Sequence, residues 1–206
     1  NTFTCANVGV NNVVLTVTDV NGNVSTCSAV VTVQDNTPPV AVCQNISVPL
    51  TTGGTVSITG AQVNNGSSDA CGIASLTVSP STFDCDDIGP NTVTLTVTDN
   101  NGNSSTCTAT VTVEDVSSST AVCRNITVNL EASGTVSITA SQVDNGSFDV
   151  CTPVTLSVTP SSFNCSNVGA NTVTLTATDQ SGNTSTCTAI VTVVDVTPPA
   201  ALCQNI

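Results

Sequence analysis

The sequence predicts an all-β chain of tandem sandwich modules, and three observations predict it. Threonine (37) and valine (34) make up about a third of the 206 residues, whereas Lys and Arg together number one and Met is absent. β-Branched side chains lose χ1 freedom in a helix and fit the pleated, half-buried surface of a sheet. Apolar and polar residues also alternate strictly, as in Thr92-Val93-Thr94-Leu95-Thr96-Val97-Thr98, the period-two pattern of a strand with one buried face. Finally, the sequence repeats itself: the cysteines at 43, 71, 85 and 107 return 80 residues later at 123, 151, 165 and 187.

The period sets the domain organisation. Val42-Cys43-Gln44-Asn45-Ile46 returns as Val122-Cys123-Arg124-Asn125-Ile126 and again as Leu202-Cys203-Gln204-Asn205-Ile206. Residues 36–115 and 116–195 therefore read as two complete units, 1–35 as the last part of another, and 196–206 as the start of the next. With no signal peptide and Asn1 in place of a start residue, the chain reads as a mature segment or an excerpt, and because 1–35 hold only two of a unit's four cysteines it is expected to be a window on a longer array. Linkers are expected at Asn36-Thr37-Pro38-Pro39 and Val196-Thr197-Pro198-Pro199, stiffened by paired prolines. The middle linker, Val116-Ser117-Ser118-Ser119, is expected to be the more flexible one.

Within a unit, short strands are predicted near 44–50, 55–60, 73–79 and 82–86. A long hairpin follows, built on the alternating runs 92–98 and 107–113. Its turn is Asp99-Asn100-Asn101-Gly102-Asn103, with Gly for a positive φ and Asp and Asn for side-chain-to-backbone bonds. Six or seven strands in 80 residues, with turns every 8–12, predict an Ig-like β-sandwich with almost no helix.

Composition excludes several function classes. The formal net charge is −13, which rules out a phosphate-tracking nucleic-acid binder or a basic membrane-surface protein. No apolar run approaches the ~20 residues that span a bilayer, so no membrane insertion is expected. Four cysteines per unit, without metal-ligand spacing and with no His in the chain, read as two disulfides per unit in an oxidising compartment. The expected location is extracellular, at the cell surface.

Enzyme chemistry is not expected. Without His there is no Ser-His or Cys-His nucleophile system, and without Lys there is no Schiff base. Asp84, Asp86 and Asp87 cluster, but Asn164, Ser166 and Asn167 stand at the matching positions, so the acidic loop reads as solvated surface. Of four aromatics, Phe3, Phe83 and Phe163 recur at the period as core anchors; Phe148 replaces Ser68 and is expected to pack at a junction. Asn-x-Ser/Thr triplets, as at Asn45, Asn103 and Asn183, read as turn chemistry and chance in a Ser- and Thr-rich chain.

A resemblance adds to this reading. Phe83, Ile88-Gly89, Asn91 through Asp99, Gly102-Asn103 and Thr106-Cys107 form a pattern that resembles the hyalin repeat (HYR) module. It recurs at Phe3, Val8-Gly9, Asp19, Gly22-Asn23 and Cys27, and at Phe163, Val168-Gly169, Asp179, Gly182-Asn183 and Cys187. The Val-Cys-Gln-Asn-Ile segments, Thr-Pro-Pro linkers and four-cysteine spacing are similar to the tandem repeats of SprB-type adhesins of gliding bacteria, exported by type IX secretion. That resemblance implies a structural filament segment in cell-surface adhesion and gliding motility. Its implied partners are neighbouring repeats, surface polysaccharide or other surface proteins. Spacer repeats in a large secreted enzyme and an extracellular-matrix hyalin-type module are the alternatives.

In an Ig-like sandwich the first and last strands run side by side and parallel, so Cys43, opening the first, is expected to pair with Cys107, opening the last. Cys123 likewise pairs with Cys187, and the remaining Cys71–Cys85 and Cys151–Cys165 are each expected to clamp a short hairpin. Loop closure gives about 4 kcal/mol for each long bridge and about 3 for each short one, comparable with the ~5–15 kcal/mol of a whole domain. No cofactor is required, but calcium is a candidate ligand. The same topology brings Asp115, ending one unit, towards Asp149 in the next, and Asp35 towards Asp69. Such pairs make either a calcium site completed by carbonyls and water or ordinary caps on backbone amides.

Overall fold

The computed structural model describes residues 2–203. Strands β1 (Gly9–Thr18) and β2 (Val24–Val33) come first. The repeat beginning at residue 36 contributes β3 (Ile46–Pro49), β4 (Thr55–Ser57), helix α1 (Gly60–Val63), β5 (Ile73–Ser79), β6 (Thr82–Asp84), β7 (Gly89–Asp99) and β8 (Ser104–Glu114). The next gives β9 (Ile126–Asn129), β10 (Thr135–Ser137), α2 (Ala140–Val143), β11 (Thr155–Thr159), β12 (Ser162–Asn164), β13 (Gly169–Thr178) and β14 (Thr184–Val194). Helix amounts to about 8%. It is confined to single turns such as α1, where Gln62 accepts the Thr59 amide, 2.7 Å.

By internal contacts the chain forms two compact units. The first comprises the described part of Asn1–Val48, with Ser57–Phe83 and Gly89–Val113; the second comprises Pro49–Val56, Asp84–Ile88 and the described part of Glu114–Ile206. In the second, β11-β13-β14-β9 form one sheet and β10-β12 another. β14 pairs β9 in parallel, Val191 opposite Ile126, and all other pairings within the unit are antiparallel. The order third–fifth–last–first beside second–fourth is that of an Ig-like sandwich. Its core lies between the sheets: Ile138 and Phe163 from one side meet Val173, Leu175, Ala189, Val191 and Val193 from the other. The preceding repeat has the same order, β3-β8-β7-β5 and β4-β6.

The alternation read from the sequence becomes burial. Val93, Leu95 and Val97 of β7 are fully buried, as are Val173 and Leu175 of β13, while the intervening threonines stay half-exposed. Gly102 adopts φ +93° in the β7–β8 turn, a conformation that only Gly enters without strain. The Asn of each Cys-Gln/Arg-Asn-Ile segment has a defined use. Asn45 Oδ1 accepts the Thr110 amide and Asn125 Oδ1 the Ile190 amide, each at 2.8 Å, satisfying a last-strand donor just before the parallel pairing begins.

Two disulfides join first strand to last: Cys43–Cys107 and Cys123–Cys187, each with Cα atoms 5.9 Å apart. The other expected pairs, Cys71–Cys85 and Cys151–Cys165, are not formed. Cys5 pairs with Cys71 and Cys85 with Cys151, at Cα separations of 5.1 and 5.0 Å, so each bridge joins one 80-residue repeat to the next. Strand length explains why the pairing runs between repeats. β5 carries the chain away from Cys71 for seven residues, roughly 23 Å at 3.3 Å per residue. β6 returns for only three, in the opposite sheet, before Cys85, whereas a disulfide tolerates about 4.4–6.8 Å between Cα atoms. Cys27, Cys165 and Cys203 are free and exposed.

The middle linker is well anchored. Ser119 is 3% exposed and donates to the Ala177 carbonyl, 3.0 Å. In the first linker Pro39 is buried and its carbonyl accepts from the Ser105 hydroxyl. Phe83 and Phe163 are buried, as core anchors must be, but Phe148 is 53% exposed rather than packed away.

Candidate functional site

The acidic loop and the recurring aspartates have different environments. Asp84 Oδ1 accepts the Asp86 amide at 2.9 Å, and Asp87 accepts the Asp84 amide at 3.0 Å. At the matching positions Asn164 and Asn167 make the same two bonds, 2.9 Å each. An uncharged amide performs this capping equally well, so nothing in the loop requires a carboxylate.

The aspartates that close each repeat behave otherwise. In the second unit, Asp115 follows β8, Asp149 lies in the loop before β11, and Asp179 opens the β13–β14 turn. One carboxylate oxygen from each lies within 4.8 Å of the others. In an Ig-like sandwich the loops before the third and last strands share one end, and the chain enters the repeat at that end. In the first unit, Asp35 and Asp69 are brought together in the same way, with Cys71 as the third member, which its bridge to Cys5 removes as a ligand.

By their spacing along the sequence Asp35, Asp69, Asp115 and Asp149 are candidate ligands, whereas Asp179 is marked only as a turn former. Asp179 performs that role as well: its Oδ1 accepts the Asn183 amide, 2.8 Å, and its Oδ2 the Asn183 side chain, 3.1 Å. The same Asn183 nitrogen donates to the Asp115 carbonyl, 3.1 Å, tying the turn to the end of β8. Asn103 repeats this arrangement with Asp99 and the Asp35 carbonyl, at 2.7 and 3.1 Å. The signal that could have found Asp179 was its own period combined with the neighbouring loops of the assumed sandwich.

Hydrogen bonding divides each carboxylate in two. Asp115 Oδ1 accepts the Ser117 amide and hydroxyl, and Asp149 Oδ1 accepts the amides of Cys151 and Thr152, at 2.9 and 3.1 Å. Asp35 Oδ1 accepts from Thr37 and Asp69 Oδ1 from Cys71. Among the described residues, the buried side-chain polar atoms without a partner are Oδ2 of Asp35, Asp115 and Asp149. Asp115 is 7% exposed and Asp179 5%.

Three like charges at this spacing repel. Two carboxylate oxygens within 4.8 Å of one another cost on the order of 3 kcal/mol at an effective dielectric near 20, less where solvent reaches Asp149. Among the described residues no cation offsets this: Arg124 is the one basic side chain, and its Nε donates to the Gln142 carbonyl, 2.8 Å. Burial pushes Asp99 and Asp144 up, but donors overcome it and hold both below the usual aspartate value. These are Asn103, Asn101 and Gly102 for Asp99, and Ser147 and Gly146, aided by the Arg124 charge, for Asp144.

No family model matches the sequence, and no curated protein matches it. Among solved structures the chain is similar to extracellular cadherin domains 1–4 of protocadherin gamma B7 at 12% identity and a TM-score of 0.40, covering 85% of this chain and 55% of that one. A three-Ig-domain fragment of titin is similar at 11% identity and a TM-score of 0.40, covering 90% and 75%. Human protocadherin-24 EC1-2 is similar at 17% identity and a TM-score of 0.38, covering 78% and 100%. No helix among the described residues is long and apolar enough to cross a membrane.

Proposed function

We propose that this chain is a tension-carrying segment of an extracellular stalk, the part of a large surface adhesin that holds a binding surface away from the cell. The observation that carries the reading is the pair of bridges between repeats, Cys5–Cys71 and Cys85–Cys151. Through them a covalent path runs along residues 1–5, 71–85 and 151–206, a little over a third of the chain. Tension applied end to end is carried by that path, and the rest of each domain is locked out of extension even when it unfolds. Disulfides persist in an oxidising compartment, and a chain with no His and no Lys has little chemistry of its own. The resemblance to SprB-type repeats supports the finer reading of a gliding filament delivered by type IX secretion. Its partners are then adjacent repeats, with surface polysaccharide or other surface proteins at the adhesive face.

Single-molecule pulling tests the load path. Replacing Cys43, Cys107, Cys123 and Cys187 by Ser leaves only the bridges between repeats. The oxidised variant should still stretch to little more than a third of the reduced length, at about 3.3–3.6 Å per residue. Extension to nearly full length would overturn the reading. Should the variant fail to fold, peptide mapping of the unmodified protein carries the same decision: Cys5–Cys71 and Cys85–Cys151 support the load path, and Cys71–Cys85 refutes it.

A further inference from the structure

The geometry points to a calcium site at the Asp115, Asp149 and Asp179 cluster, where one repeat ends and the next begins. Capping accounts for one oxygen each of Asp115 and Asp149, but not for the other. Asp115 is 93% buried, being 7% exposed, and its Oδ2 has no donor. Asp149 Oδ2 is likewise buried without a partner, and both carboxylates belong to a group whose oxygens converge within 4.8 Å. A buried anionic oxygen without a donor is costly unless a cation meets it, and the single Arg of the chain is engaged elsewhere. Asp35 in the preceding repeat has the same orphaned Oδ2 beside Asp69, so the feature belongs to the repeat and not to one irregular loop.

The donor set selects the ion. Every available ligand is an oxygen, which excludes the soft and borderline metals that favour thiolate or imidazole. Carboxylates on separate loops suit the variable geometry and 6–8 oxygens of Ca²⁺ better than the strict octahedron of Mg²⁺. Bound there, the cation would hold the end of β8 to the loop before β11 and to the β13–β14 turn, neutralising charge that the protein leaves unbalanced. The inference does not rest on the stalk reading, and its failure would leave the disulfide argument untouched.

Calorimetric titration of the oxidised chain with CaCl₂ tests it, with MgCl₂ in a parallel run. Saturable binding of about two Ca²⁺ per chain is expected, in the ~10⁻⁴–10⁻³ M range of extracellular modules, together with a calcium-dependent rise in Tm and weaker Mg²⁺ binding. Asp115→Asn with Asp149→Asn keeps the capping oxygens and should leave about one Ca²⁺ per chain. Asp35→Asn with Asp69→Asn should remove the other. If the first pair does not fold, Asp149→Asn alone decides, since its amide oxygen can still cap Cys151 and Thr152. Absence of saturable binding, or stoichiometry unchanged in the variants, would overturn the site; Mg²⁺ binding as tight as Ca²⁺ would overturn the assignment to calcium.

Discussion

At the residue scale, the repeats run their own substitution experiment. Asp144 of one repeat stands where the other has Asn64, and both accept the amide three residues on, Ser147 at 2.9 Å and Ser67 at 3.0 Å. Asp99 has only aspartate counterparts, Asp19 and Asp179. Its Oδ2 accepts the Asn103 side-chain nitrogen, and an amide nitrogen in that place would set donor against donor. In EDTA at pH 7, Asp99→Asn should therefore lower Tm by several degrees, whereas Asp144→Asn should shift it by a degree or two at most. The folded state holds Asp99 below the ordinary value of 3.8. The stability it contributes is thus present above that pH and lost as pH falls through the depressed folded value. The gap between wild type and Asp99→Asn should be constant from pH 7 to about 5 and close below about 4. A gap that persists in acid would mean that the carboxylate charge is not what the turn uses.

At the element scale, the alternating pattern marks the strand positions on which the core depends. Leu15 of β1 and Leu95 of β7 are period mates in hairpins of the same register, opposite Cys27 and Cys107. Leu95 is fully buried, in a sheet of order β3-β8-β7-β5. Leu95→Ala should cost about 2–5 kcal/mol, the range for emptying a packed core position. Urea melts monitored by circular dichroism would measure it, and a cost within about 0.5 kcal/mol, as at exposed sites, would show that the position is not part of a packed core.

At the scale of the whole molecule, overlapping bridges make the chain resistant to a single cut. Arg124 is the one site for trypsin; the residue is exposed, but its backbone amide donates a hydrogen bond to the Val143 carbonyl, 2.8 Å. A cut after Arg124 is spanned by both Cys123–Cys187 and Cys85–Cys151. The 66-residue separation of the latter corresponds to about 4 kcal/mol of loop closure, so it also keeps the opened population small. After prolonged trypsin the oxidised protein should run as one band on a non-reducing gel. Reduction should then release pieces 1–124 and 125–206 wherever cleavage occurred. Separate pieces without reductant would contradict both bridges.

Strand identity, the long hairpins and the burial face were legible in the sequence because they are local: a period of two and a Gly-containing turn specify which residues point inward before any partner strand is known. The parallel contact of first and last strands followed from that topology, as did the approach of Asp115 to Asp149. The pairing of the other cysteines was not legible, and periodicity is the reason. A repeat every 80 residues places Cys71 and Cys85 within their units but says nothing about which unit supplies the partner; pairing within a repeat or between repeats leaves three cysteines unpaired either way. Only distance decides, and the distance was set by β5 running long and β6 short, in opposite sheets. The same holds for Asp179, which the sequence marked as a turn residue: its place beside Asp115 and Asp149 comes from two loops that share an end of the sandwich, a proximity that no spacing along the chain records.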